Sequence, residues 1–169
     1  MSTRTITRYA FLLALALILN FVESMIPVPF MFPGAKLGLA NGVGLIVLYY
    51  MGARHYAGFG ILRVFLAAIM WSGFGSAFWI SLGGILVSTI VTILVSIFSK
   101  ASVYGISVCG AIGHGFGQVI AVSIIYETFY MTLYLLVLTI SGLITGIIVA
   151  FLASLLIVRF PKNFMQLNK

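Results

Sequence analysis

"SAFWISLGGILVSTIVTILVSIF", residues 76 to 98, carries neither a charge nor a proline. A helix crosses the hydrocarbon of a bilayer with about 20 predominantly apolar residues, so this stretch predicts a membrane-spanning helix over Ser76 to Phe98. Five more apolar stretches follow the same rule: Thr7 to Met25, Leu37 to Met51, Tyr56 to Gly73, Val103 to Tyr126 and Met131 to Val158. The second is short, and the last two are long enough to tilt. Composition agrees: 63% of the 169 residues are hydrophobic and 7% are charged, with a mean hydropathy of +1.25. A soluble domain would lack the polar surface to cover itself. The chain is expected to be an all-α integral membrane protein, one six-transmembrane-helix bundle over residues 1–169.

The opening "MSTRTITRYAFLLALALILNFVES" starts basic, as signal peptides do, but its apolar run is long and no small-residue cleavage site follows it. It is expected to remain as the first helix. Three of the four prolines, Pro27, Pro29 and Pro33, fall between the first two spans, and Pro161 follows the last. With no proline inside a span, unkinked helices are expected. "IPVPFMFPGAK" reads as a stiff extended loop, since each proline fixes its own φ and biases its predecessor away from helix.

With a cytoplasmic N-terminus, Arg4, Arg8, Arg54, Lys100, Arg159, Lys162 and Lys169 all fall on the cytoplasmic side, leaving only Lys36 outside and Arg63 within a span. Both termini are therefore expected to be cytoplasmic. The formal charge of +7 is explained by topology and by attraction to anionic membrane lipid, without nucleic acid as a partner. A lone cysteine, Cys109, and the absence of spaced Cys and His clusters argue against a bound metal or cofactor.

The informative residues are the polar ones that a membrane should exclude. A charged side chain in mid-bilayer costs about 2.5–3.5 kcal/mol or more, and so needs a partner, an aqueous cavity or a route to the interface. At about 1.5 Å per residue, Glu23 lies roughly 24 Å up the first helix, and Asn41 about 6 Å below the outer end of the second. On the same scale, Arg63 lies about 10 Å up the third helix, and His114 and Gln118 roughly 16 and 22 Å up the fifth. With Lys36 at the rim, in "PGAKLGLAN" (residues 33–41), these six residues can line a path from the outer surface to the bilayer centre. They are the candidate substrate-binding residues.

In "GAIGHGFGQ" (residues 110–118), His114 and Gln118 project about 40° apart, and Gly110, Gly113 and Gly117 form a stripe roughly 90° away. One face can bind while the glycines admit a neighbouring helix. Plainer roles exist for each candidate. Interhelical hydrogen bonds would account for His114 and Gln118, and Arg63 can snorkel to the cytoplasmic interface. Glu23 can pair with Lys36 or Arg63, and Lys36 can rest among headgroups. Convergence at compatible depths, in a chain with so few charges, favours a shared pocket with Lys36 at its mouth. Three groups that carry or can carry positive charge, Lys36, Arg63 and His114, against one buried acid favour an anionic ligand.

"NFVESMIPVPFMFPGAKLGLAN", with "LRV", "SLGGILVS" and "SVCGAIGHGFGQ" further on, resembles the bacterial membrane proteins called heptaprenyl diphosphate synthase component I, or the Gx transporter family. Gly115 stands where that resemblance leads one to expect asparagine. The family is in turn similar to the substrate-binding S components of energy-coupling-factor (ECF) transporters. The resemblance implies a six-helix bundle in the bacterial plasma membrane that captures a small molecule from outside and works with a T subunit and two ATPases. It also implies a docking motif in the first helix, for which "AFLLA" supplies Ala10 and Ala14; ordinary packing explains the same pair.

Prenyl condensation needs clustered carboxylates to hold Mg²⁺ against a diphosphate. The chain has no aspartate, and its two acids, Glu23 and Glu127, fall on different helices. It is expected not to be an enzyme. It also lacks the GxxxxGK[ST] loop for ATP, so energised transport would borrow hydrolysis from partners. Two functions remain open: a solute-binding subunit with an outward-facing pocket, or a non-catalytic accessory protein for isoprenoid or quinone synthesis or for membrane electron transfer.

Overall fold

Among the described residues, each of the six apolar stretches contains an α-helix. The computed structural model describes residues 3–25, 38–127 and 130–159, which contain six α-helices and no strand. They are α1 (Thr3–Met25), α2 (Leu39–Met51), α3 (Ala53–Ala67), α4 (Ser76–Phe98), α5 (Val103–Ile125) and α6 (Tyr134–Arg159). A π-helical turn, Ala68–Ser72, extends α3, and a 3₁₀ turn, Tyr130–Thr132, precedes α6.

Five helices are long and apolar enough to cross a membrane, counting α3 with its π turn; the exception is the 13-residue α2. At about 1.5 Å per residue α2 reaches only about 20 Å. Its short length is tolerated because neighbouring helices, rather than lipid, surround it: every residue from Gly42 to Val47 is buried. The other helices expose large apolar side chains, such as the Leu86, Ile90 and Leu94 ridge of α4. Such a ridge needs lipid against it.

Short connections make successive helices antiparallel. The Tyr9 hydroxyl on α1 donates to the carbonyl of His55 near the start of α3 (3.1 Å). At the same end the Tyr50 hydroxyl of α2 donates to the Ile157 carbonyl of α6 (3.0 Å). The first residues of α1 and the last of α6 therefore share one end of the bundle with the α2–α3 turn. That turn consists of Gly52 alone, at φ 86° and ψ 176°, a region open essentially only to glycine. Nothing approaches a Cβ placed there, so Gly52→Ala adds backbone strain without a clash. It should lower stability by about 1–3 kcal/mol in detergent unfolding; an unchanged midpoint would contradict this account of the turn.

Among the described residues the apolar core has three clusters, the largest between α1, α2 and α3. Ala16, Val47 and Phe59 centre that cluster. On the other side α4, α5 and α6 pack backbone to backbone through the expected glycine stripes. A Cβ on Gly117 would collide with the Gly83 carbonyl oxygen, and one on Gly113 would lie 3.1 Å from Val91. On α6 a Cβ on Gly146 would come within 2.9 Å of the Val108 Cα. Hydroxyls bridge the same seams: Ser88 donates to the Gly110 carbonyl and Ser107 to the Gly146 carbonyl, each at 2.8 Å.

Expected straightness fails at the end of α3. There the Gly73 amide donates to the Ala68 carbonyl five residues back, at 2.9 Å, and Gly73 takes φ 68°. A wide turn of this kind re-aims side chains without a proline, and Trp71 within it packs edge-on against Phe21 of α1 at 5.5 Å.

Candidate functional site

The site begins at the start of α2. Gly38 at its N-cap has φ 75° and no side chain to offer, so the first amides of the helix lack a local acceptor. Glu23, near the end of α1, supplies one: its Oε1 accepts from the Leu39 amide at 2.6 Å. A carboxylate there also meets the positive end of the helix dipole. Glu23 is 7% exposed, so this is a buried, charge-assisted cap rather than an interfacial acid.

One turn into α2, the Asn41 Oδ1 accepts from the Arg63 Nη2 at 2.9 Å. Arg63 does not snorkel. It is 7% exposed, its guanidinium ends on Asn41, and its Nε is buried with no hydrogen-bond partner. It also interacts electrostatically with Glu23. The third wall is α5, where His114 and Gln118 lie against Gly84 of α4. A Cβ on Gly84 would sit 2.8 Å from the His114 Cε1 and 2.9 Å from the Gln118 Cγ.

Together Glu23, Asn41, Arg63, His114 and Gln118 line one cavity of about 190 Å³. The antiparallel order explains why they meet. The lining comes from the last turns of α1, the end of α3 with its π turn, the first turns of α2 and α4, the middle of α5 and the second to fourth turns of α6. Together they lie toward the end opposite the chain termini. Lys36 lies outside the described residues. Ala10 and Ala14 are exposed on α1, away from the cavity.

Sequence reading missed several lining residues: Asn20, Trp71, Ser81, Ser141 and Thr145. Asn20 had a signal, since it precedes Glu23 by three residues and so shares its helical face. The serines and Thr145 had none, because membrane helices use hydroxyls for their own backbone; Ser141, for example, donates to the Leu138 carbonyl at 3.0 Å. Gly84, within "SLGGILVS", carried no signal of its own, yet it makes the room for His114 and Gln118. Gly84→Ala is expected to displace the His114 ring and to cost some stability, because the Gln118 Cγ, one bond beyond Cβ, opposes the new methyl at 2.9 Å and cannot swing clear. Displacing His114 should weaken solute binding roughly two- to tenfold, the value of one neutral hydrogen bond. Unchanged affinity in equilibrium binding would detach His114 from the site.

Chemically, the cavity offers a guanidinium, a carboxylate, an imidazole, amides and hydroxyls. Among the described residues no group of three or more His, Cys, Asp or Glu is placed to hold a metal ion. These are tools for hydrogen-bonded capture.

Fold and site define a multi-pass helical membrane protein with a buried polar cavity near one end of the bundle. The chain belongs to the heptaprenyl diphosphate synthase component I family, whose sequence model matches residues 12–156. No curated protein and no solved structure matches it. At Gly115, where the family resemblance suggested asparagine, an added Cβ would lie 3.2 Å from the Leu138 Cβ of α6, so glycine serves the α5–α6 contact.

Proposed function

We propose that the protein is the solute-binding membrane subunit of an uptake system, of the S-component kind, and that its polar cavity captures a small solute bearing a carboxylate or phosphate-like group. The observation that carries this reading is Arg63: a buried guanidinium that lines the cavity and is held there by Asn41 through Nη2. All six helices contribute to that cavity. Electrostatics support an anionic group. The charge of Glu23 is partly offset by the α2 N-terminus, worth about half a unit charge, which leaves Arg63 to a guest.

The cation distribution in the sequence puts the cavity end outside, which suits capture from the exterior. Release inside then requires energy, and partner ATPases with a coupling T subunit would supply it. The family description favours a second reading, in which the chain is the non-catalytic membrane partner of a prenyl diphosphate synthase. Without a single aspartate it has no means of gathering Mg²⁺ around a diphosphate by itself. Copurification from native membranes separates the two readings. A T subunit with ATPases is the expected result; a prenyl synthase or a quinone reductase in their place would reverse the order.

A further inference from the structure

A second, larger cavity lies at the end of the bundle that holds the chain termini. It has a volume of about 340 Å³ and shares no lining residue with the polar cavity. Its walls are apolar, with Leu48 from α2, Ile97 from α4, Val103 and Ile106 from α5 and Ile157 from α6. The Ser96 hydroxyl, one of its few polar groups, is turned back onto the Ile93 carbonyl at 2.8 Å. Such a space offers water almost nothing to bond. The groove opens outward past the exposed Tyr49 and Ile97, so in a membrane it is suited to a hydrocarbon chain.

Charge says which chain. Arg54 follows the lining residue Ala53, Lys100 stands between Ile97 and Val103, and Arg159 comes two residues after Ile157. All three are exposed. The only two acids in the chain, Glu23 and Glu127, sit at the other end of the bundle. An apolar groove at the end of the bundle where all the charged side chains among the described residues are cations matches an amphiphile with an anionic head.

We infer that this cavity is a binding site for an anionic phospholipid of the membrane, with an acyl chain between α2, α4, α5 and α6 and the phosphate on Arg54, Lys100 and Arg159. The site is independent of the solute cavity and of either functional reading.

The test reads lipids retained by the whole protein in native mass spectrometry, after exchange into micelles holding equal phosphatidylglycerol and phosphatidylcholine with the same chains. Wild type should retain phosphatidylglycerol over phosphatidylcholine by about tenfold or more, given three cations near the headgroup. The triple variant Arg54→Gln, Lys100→Gln, Arg159→Gln alters only exposed side chains and should retain the two lipids equally. Val103→Trp, which fills the cavity, should retain neither. The inference falls if wild type shows no preference, if the triple variant keeps it, or if Val103→Trp holds phosphatidylglycerol as wild type does. Displacement of the lipid by glycerol phosphate would point to a headgroup site alone and would equally overturn it. Preference for a prenyl diphosphate of similar chain length would replace the phospholipid with another occupant.

Discussion

Arg63→Ala is expected to weaken solute binding by roughly 10- to 150-fold, the range set by about 1.5–3 kcal/mol for a hydrogen bond to a charged group. The guanidinium reaches the cavity from α3, and Asn41 fixes its orientation through Nη2. Arg63→Lys keeps the charge but loses the planar fork and should fall between the two. Lys36→Ala is expected to reduce capture as well, with little loss of folded protein. Equilibrium binding in detergent decides this. Equal affinity in wild type, Arg63→Ala and Lys36→Ala would remove the anionic group from the proposed solute.

Glu23→Ala should act chiefly on the fold. Glu23 caps α2 through the Leu39 amide at 2.6 Å and is an electrostatic partner of Arg63. Removing it orphans the Leu39 amide and takes a negative charge from the positive end of the α2 dipole, a loss of about 1–3 kcal/mol. Glu23→Gln preserves an acceptor for Leu39 and should lose distinctly less. Thermal unfolding of the purified variants reads the difference. An Ala variant as stable as wild type would show that α2 begins without the help of Glu23.

What the sequence could reveal followed the physics of each feature. Span boundaries were legible because hydrocarbon imposes length and apolarity along one continuous stretch: Ser76 to Phe98 is α4 residue for residue. The shortness of α2 was visible, but its shielded position was not, because burial by other helices leaves no different mark from burial by lipid. Gly113 and Gly117 announced a close helix approach, and α4 makes it. The partner of Glu23 could not be read, since it is a backbone amide made available by Gly38 at the start of another helix.

Arg63 shows the opposite limit. Its depth, about 10 Å from the interface, is compatible with snorkelling or with an inward turn, and only Asn41 across the α2–α3 contact decides for inward. The π turn at Ala68–Ser72 likewise left no proline to betray it. Five of the six candidates nevertheless line one space, because the few polar residues in an otherwise apolar chain have few places to go.

Native mass spectrometry of the protein, gently extracted from its own membrane beside Arg63→Ala, tests the central claim most directly. Wild type should carry a small molecule of defined mass with an acidic group, and the variant should arrive without it. A wild-type protein that carries no such molecule, or an Arg63→Ala protein that carries it at the same occupancy, would contradict the assignment of this cavity to solute capture.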